Sequence, residues 1–444
     1  MIMARKVFIS FLGATKYNDC DYQKDGLSYG TVRYIQEATL NYLTQKEEWK
    51  DNSIAYILLT KGSEEKNWID NGQTDFKTKE PIIQSGLKTQ LEKMNLPFLI
   101  EPIKELPDGN NEEEIWEIFE RTFEKIQDED ELYFDLTHGY RYLPMLILVL
   151  GNYSKFLKKV TIKSITYGNF EISERGTKPG LIVDLLPLSA LQDWTYAAGQ
   201  YLDSGNVEKL TELSNKEIKP ILAKTKGSDE SARKLKTFIN SLNSVIAERQ
   251  TCRGINIVES TNIRTLKENV ADIETTFISP LNPIFQKIKA SLVSFDAKEN
   301  VKNGLASAIW CFNNGLLQQS ATILQEFVVS FFCLRHDIAI VDETKRKLIN
   351  SAFAIKFKHL DEEQWDVNEE QKIKIKAILL DDLFNNVELI NLFNNLTEVR
   401  NDLNHSGMRS KRNPQSAKSI KDNIQKCIDG FARILYNVNF IKSC

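Results

Sequence analysis

The sequence predicts an α/β domain followed by all-α domains. Short apolar runs typical of buried strands alternate with helix-like segments up to residue 187, and strand-type patterning then stops. Strands that alternate with helices predict a mostly parallel, Rossmann-like sheet with helices on both faces. Because 444 residues exceed what one core usually holds, we divide the chain into an α/β domain (1–187), a helical connector (188–300) and a C-terminal helical domain (301–444).

The predicted elements of the α/β domain follow one another closely. Strands are predicted at 6–12, 53–60, 97–102, 131–136, 159–167 and 180–185. Helices are predicted at 31–43, 85–94, 112–126 and from Pro144 onward, where proline in the first turn costs no hydrogen bond. The segment 61–80 is predicted to be a polar loop, and 168–179 a turn.

Beyond residue 188 the pattern is helical. The connector is rich in lysine, with breaks at Gly227, Gly254 and Ser279-Pro280, and we interpret its basic residues as a solvated face. Apolar stripes at helical spacing in 305–334 and 387–405 predict a bundle at the C-terminal end.

The composition is that of an ordinary globular protein, with 42% hydrophobic and 27% charged residues and a net charge of −4. Any nucleic-acid contact therefore has to come from a local basic patch. Six Cys without a CxxC pair predict free thiols in a reducing compartment, and four scattered His argue against a metal site. With no signal peptide and no long apolar run, we expect a soluble, cytoplasmic protein without a membrane partner.

The first candidate site is a polar turn between the predicted strand 131–136 and the apolar helix after it. The turn consists of Thr137, His138, Gly139, Tyr140 and Arg141. Open α/β sheets bind ligands at the carboxyl ends of their strands, and helix N–H groups together with Arg and His favour an anion such as phosphate. The alternative is a structural turn whose polar side chains are merely solvated.

A second loop, formed by Gly13, Ala14 and Thr15, follows the first predicted strand. If that strand and 131–136 are both central, the two loops meet at one edge of the sheet. A Rossmann dinucleotide site is a rival interpretation, but GxGxxG is absent after the first strand, and the P-loop pattern is absent as well. The two loops are therefore candidates for one anion site.

The second candidate site lies on the predicted helix 387–405. Arg400 falls within its apolar stripe, Asn401 and His405 lie near the same helix end, and Gly407 is a natural helix stop. A guanidinium is costly in a dry core, so we expect the stripe to meet another subunit and Arg400 to line a cleft there.

This residue set suits RNA cleavage through the ribose 2′-OH. His405 can act as general acid or base, Arg400 can stabilise charge on the phosphoryl group, and Asn401 can orient either one. No metal is needed, because the nucleophile is already in the substrate. Nine Lys or Arg against three Asp between Arg400 and Cys444 suffice for contacts to the RNA backbone. The alternative for His405 is a surface or helix-capping role.

The two sites together resemble a known family. The run Asp135-Leu136-Thr137-His138-Gly139 is similar to the Asp-x-Thr-His-Gly motif of the ancillary ribonucleases of type III CRISPR systems, which join a CARF sensor to a HEPN nuclease domain. Arg400-Asn401 and His405 match the HEPN pattern. Ala14 stands where the family often has Thr. Supporting stretches are Phe11-Leu12-Gly13 with Tyr17, residues 167–171, and Asp193-Trp194.

The resemblance implies a homodimer or a higher oligomer, with a CARF domain at 1–187 and a HEPN domain at 301–444. The residues 13–15 and 137–141 would hold the phosphates and riboses of a cyclic oligoadenylate activator, with four adenylates favoured over six. Two copies of Arg400 and His405 would meet across the HEPN interface and cut single-stranded RNA once the activator shifts the dimer. No further cofactor and no stable DNA binding are expected.

Two other function classes stay open. One is a non-enzymatic nucleotide sensor or adaptor whose helical domain only dimerises, and the other is a ligand-controlled transcription regulator with a helix-turn-helix in the connector. A further open question is slow cleavage of the ligand by the CARF domain itself, with Thr137 and His138 assisting.

Overall fold

The N-terminal half of the chain is built on one mixed, mostly parallel sheet. The computed structural model describes residues 4–176, 178–270, 281–408 and 414–435. The strands are β1 (Lys6–Phe11), β2 (Cys20–Lys24), β3 (Leu27–Val32), β4 (Ile54–Thr60), β5 (Leu99–Leu106), β6 (Glu131–Asp135), β7 (Thr161–Asn169) and β8 (Gly180–Asp184). They lie in the order β3-β2-β8-β7-β6-β1-β4-β5. The pairs β2–β3 and β7–β8 are antiparallel and the others parallel, so the predicted fold class is confirmed.

Helices cover both faces of this sheet. They are α1 (Ile35–Lys46), the short α2 (Lys61–Ser63), α3 (Leu87–Lys93), α4 (Glu112–Glu124) and α5 (Leu143–Lys158). Alternate residues of β1 serve opposite faces, since Val7 and Ile9 pack in one apolar cluster with α4 and α5, whereas Phe8 packs in another with α1 and α3. The sheet is therefore buried on both sides, as a parallel sheet requires.

Three predictions for this half were wrong in detail. The hairpin of β2 and β3 was not predicted, because the exposed edge strand β3 lacks a clear apolar alternation and β2 is short. The Asp25-Gly26 turn between them, with both φ angles positive, was the available signal. The helix predicted from residue 31 begins only at Ile35. The predicted loop 61–80 contains α2 and a π-helical turn, Glu64–Trp68, whose Trp68 is buried.

The rest of the chain is helical. It contains α6 (Leu186–Ser204), α7 (Glu208–Lys224), α8 (Glu230–Gln250), α9 (Gly254–Glu259), α10 (Thr261–Val270), α11 (Asn282–Ala290), α12 (Lys302–Asn313), α13 (Leu317–Arg335), α14 (Glu343–Lys358), α15 (Glu369–Leu379), α16 (Val387–Asn404) and α17 (Ala417–Leu435). The apolar stripe in 305–334 belongs to two helices, because the chain turns at Gly315, which has a positive φ.

The chain divides into two compact units, Met1–Ala190 and Leu191–Cys444. The second unit holds two apolar clusters, one running from Trp194 to Phe295 and one built mainly on α12 to α17. The domain boundary predicted at residue 300 stays a prediction. The predicted break at Ser279-Pro280 and the Lys and Arg of the basic tail within 409–413 and 436–444 lie outside the described residues. In the described ranges, no helix combines the length and apolarity needed to cross a bilayer.

Candidate functional site

The two predicted loops lie side by side at the carboxyl edge of the sheet. β1 and β6 are adjacent and parallel, with Ser10 opposite Asp135, so the loops that follow them leave the sheet together. They line a cavity of about 500 Å³, within the range of roughly 300–1,000 Å³ typical of small-molecule sites. All the predicted ligand-binding residues except Arg141 contribute to its wall, and Arg141 is exposed beside it.

A buried carboxylate organises the second loop. Asp135 is fully buried and accepts hydrogen bonds from the hydroxyls of Ser10 (2.7 Å) and Thr137 (2.5 Å). The Thr137 hydroxyl in turn accepts the backbone N–H of Gly168 at 2.7 Å, which ties the loop to the end of β7. Burial raises the pKa of Asp135, because no cation compensates its charge there. The Thr137 hydroxyl therefore donates its hydrogen to Asp135, and this hydrogen bond stabilises the conformation of the loop.

His138 lies in the cavity wall as a neutral ring. Its imidazole packs against the Tyr17 ring with centroids 4.2 Å apart, and its Nε2 is buried without a hydrogen-bond partner in the described part of the chain. Burial lowers the pKa of His138 to about 4, since the charged form loses its hydration there. A neutral His138 lends the cavity no positive charge, and its predicted part in ligand binding stays a prediction.

Gly139 allows the turn to approach its neighbours closely. Its φ is +117°, and an added Cβ would lie 2.3 Å from Leu143 Cδ1. The helix α5 begins directly afterwards, with Pro144 in its first turn and no side-chain cap. Leu143 N–H donates to the Tyr140 carbonyl at 3.0 Å and Pro144 has no N–H, so this helix start favours an anion mainly through the positive end of the helix dipole. The anion site stays a prediction.

Two buried amides that the sequence analysis missed hold the first loop. Asn67 Nδ2 donates to the carbonyl oxygens of Gly13 and Thr15, each at 2.8 Å, and Gln73 Nε2 donates to Asn67 Oδ1 at 2.9 Å. Both amides lie in the segment 61–80, which was predicted to be a polar loop. The Tyr17 hydroxyl packs where a Cβ on Gly13 would stand, at 2.4 Å. These contacts fix the first loop in the absence of a ligand.

The second candidate site lies at the end of α16. Arg400 is half-buried and donates through Nη1 to Gln325 Oε1 on α13 at 2.9 Å. Asn401 is half-buried, and His405 is exposed at the C-terminal cap of the helix. The structure therefore brings the three predicted catalytic residues to one helix end, with the imidazole facing solvent. Their catalytic roles stay a prediction.

Groups of His, Cys, Asp or Glu that could hold a metal ion are not found within the described ranges. The cysteines described there are free, and four of them are buried: Cys20, Cys311, Cys333 and Cys427.

The α/β half matches a known family. Residues 7–171 match the family model described as the CARF domain of the CRISPR system endoribonuclease Csx1. This part of the chain is thus similar to a CARF domain. The resemblance carried by the Asp-x-Thr-His-Gly motif is thereby confirmed, and the matched residues contain both loops of the cavity.

Two known proteins are similar to this chain. It is 29% identical over 204 residues to the CRISPR-associated protein MJ1674 of Methanocaldococcus jannaschii, across 41% of this chain and 31% of that protein. The chain thus covers about a third of the length of that curated relative. The structure of Enterococcus italicus Csm6 bound to cyclic hexa-2'-fluoro-hexa-dAMP aligns with 98% of this chain and 96% of its own, with a TM-score of 0.44 and 10% identity.

Proposed function

We propose that this CARF protein is a cyclic-oligoadenylate-activated, metal-independent endoribonuclease of type III CRISPR defence that cuts single-stranded RNA. One observation carries the proposal: a chain with a CARF domain also places Arg400, Asn401 and His405 at one helix end, with His405 open to solvent.

The proposed chemistry uses the substrate's own nucleophile. The ribose 2′-oxygen attacks phosphorus while a neutral His405 imidazole removes its proton; the bond from phosphorus to the 5′-oxygen breaks, and a protonated imidazole supplies a proton to that oxygen. The products are a 2′,3′-cyclic phosphate and a 5′-hydroxyl. Arg400 stabilises the negative charge that develops on the phosphoryl oxygens. Two imidazoles are required in opposite protonation states, which one exposed His405 from each of two subunits would supply.

The activator site supports a dimer. A cavity of about 500 Å³ suits a drug-sized ligand, and a ring of four adenylates is larger than that class, so part of the ring would extend to a second copy. The helix α5 leaves the ligand loop and exposes an apolar stripe of Met145, Val149, Tyr153 and Phe156, of which Phe156 is 82% exposed. A stripe of this kind marks an interaction surface, and pairing two copies along α5 would bring both ligand loops together.

Activator recognition would combine backbone and side-chain groups. The uncapped start of α5 and the exposed Arg141 offer positive charge to the ring phosphates. Tyr140 is 45% exposed and stacks on Tyr142 with ring centroids 5.8 Å apart, so its outer face can stack on a base. Binding would shift the dimer toward the arrangement in which the HEPN residues meet.

RNA cleavage measured with a panel of cyclic adenylates, with a chelator present, tests this function. We expect cleavage with a ring of four adenylates. His405→Ala should reduce cleavage to background while calorimetric binding of the activator persists. The matched control is His359→Asn, at an exposed left-handed helix cap that asparagine also tolerates.

The ligand site is tested separately with Arg141→Ala. This variant should raise the activator concentration needed for half-maximal cleavage about tenfold, as expected for the loss of a charge-assisted hydrogen bond. Lys88→Ala on α3 is the control for a lost surface cation. Activator binding without cleavage under any condition would instead establish a sensor or adaptor.

A further inference from the structure

Gln325 is the side chain that holds Arg400. It lies on α13, is 5% exposed, and accepts the hydrogen bond from Arg400 Nη1 through Oε1 at 2.9 Å. Its Nε2 donates to the Thr397 hydroxyl at 3.2 Å, and that hydroxyl donates to the Phe393 carbonyl at 2.9 Å. Because Arg400 can only donate and the Thr397 hydrogen is already used, the amide has one orientation that satisfies both neighbours.

The partner of Arg400 is therefore neutral. Arginines buried beside another helix are commonly paired with carboxylates, and the next residue on α13 is Glu326. The Glu326 carboxylate forms a salt bridge with Arg346 Nη2 at 2.5 Å. Arg346 also donates to the Ser330 hydroxyl and to the Ile340 carbonyl, so it is fixed in place. The nearby acidic residue is thus engaged by its own cation, and an amide stands against Arg400.

A neutral acceptor has a chemical consequence. A carboxylate at position 325 would form an ion pair, and the guanidinium would then face the phosphate with much of its charge already compensated. An amide orients the same group without cancelling that charge. Arg400 Nε is also buried and lacks a hydrogen-bond partner among the described residues, so the guanidinium still has unused donor capacity.

We propose that Gln325 is a positioning residue that orients Arg400 and keeps its positive charge available to the scissile phosphate. This inference rests on the proposed ribonuclease function. A positioning role and a packing role predict different results when the amide becomes a carboxylate. With a positioning role, activity falls while stability is kept.

Gln325→Glu in the full-length protein tests the inference. The new carboxylate can pair with Arg400, and the Thr397 hydroxyl can rotate from the Phe393 carbonyl to donate to it. The melting temperature should therefore equal or exceed that of the wild type. The kcat for activated RNA cleavage should fall about tenfold or more, in the direction of the losses seen when one charge-stabilising donor is removed. The KM for RNA should stay unchanged, because Arg400 acts on charge that develops during the reaction.

Two further variants are compared with Gln325→Glu. Gln325→Leu removes the acceptor at similar volume, and we expect both kcat and the melting temperature to fall. Gln318→Glu makes the same change two turns earlier on α13, where Gln318 Nε2 donates to Asn404 Oδ1 of α16 at 3.2 Å in an exposed position. This matched control should keep kcat near that of the wild type, since it adds charge between the same helices without touching Arg400.

The outcomes separate the two proposals. An active wild type with an equally active, folded Gln325→Glu variant overturns the role of Gln325 and leaves the ribonuclease function standing. A wild type that binds activator but cleaves no RNA overturns both. Should Gln325→Glu fail to fold, wild-type kcat in Gln325→Leu would overturn the inference, and a loss of kcat without a change in KM would support it.

Discussion

At the scale of single residues, the CARF motif is chiefly architectural. Its carboxylate and its imidazole are both shielded from water: burial raises the pKa of Asp135 and lowers that of His138, so neither gains from being charged. Asp135 accepts hydrogen bonds from the hydroxyls of Ser10 and Thr137, and the Thr137 hydroxyl accepts one from the Gly168 N–H. The positive charge of the site is thereby left to Arg141 and to the start of α5.

The pKa of His138 can be checked directly. Because the folded pKa, about 4, lies below the ordinary value of about 6.5, the neutral ring favours folding, and this contribution is lost as the pH falls from about 6.5 towards 4. An NMR titration of the His138 ring in the protein without activator should have its midpoint near pH 4.

The matched variant is His138→Phe, which keeps a ring against Tyr17 but cannot titrate. Below about pH 6.5 the wild type should lose unfolding free energy relative to this variant. A His138 midpoint near the ordinary value would show that the ring is hydrated, and the cavity wall would then differ from the one described.

At the scale of elements, the strand β6, its turn and α5 form one unit in which backbone geometry is decisive. The strand ends in a buried hydrogen-bond network, the turn passes through a left-handed glycine, and the helix starts with proline. These features are linked, because a Cβ on Gly139 would collide with Leu143 at the start of α5.

Gly139→Ala should therefore destabilise the protein by about 2 kcal/mol or more, since alanine at a positive φ is strained and its Cβ would collide with Leu143. Gly199→Ala is the matched control: this glycine lies within α6, and an added Cβ meets nothing within 4 Å. We expect that control to stabilise by about 0.5–1 kcal/mol through helix propensity. Urea unfolding of both variants measures the difference, and equal effects would contradict the assigned backbone geometry.

At the scale of the whole molecule, the two candidate sites belong to different compact units. The ligand cavity lies within Met1–Ala190, and Arg400 and His405 lie within Leu191–Cys444, while α6 spans the division in sequence. If the proposed function holds, control of one site by the other comes from differential binding to two states of the assembly. In the proposed function those states are states of a dimer.

The proposed composite active site makes activity depend on protein concentration. At saturating activator, the rate per protein molecule should fall on dilution once the concentration drops below the dimer dissociation constant. An excess of His405→Ala protein added at low concentration should lower the wild-type rate further, because mixed dimers lack one imidazole. A rate per molecule that stays constant over a thousandfold dilution, unaffected by the mutant chain, would indicate a site complete within one subunit.

Much of the fold was predictable, because it follows from local rules. Apolar runs bounded by turns located β1, β4 and β6, and the strand-turn-helix motif placed the ligand loop at a sheet edge. The β2–β3 hairpin and the turns in 61–68 were missed, since the edge strand β3, the short strand β2 and short buried turns have weak apolar patterns. The helical spacing that placed Arg400 within an apolar stripe agrees with its half-buried position on α16.

What the sequence by itself determined is the α/β-then-helical order, the strand-to-helix ligand turn and the gathering of Arg400, Asn401 and His405 at one helix end. Only the tertiary structure decided which side chains hold these groups. Asn67 supports a loop 52 and 54 residues away in sequence, and Gln325 holds an arginine 75 residues away. The reason is physical: periodicity reports which face of an element is buried, whereas hydrogen-bond partners and the burial that sets a pKa depend on contacts between elements distant in sequence.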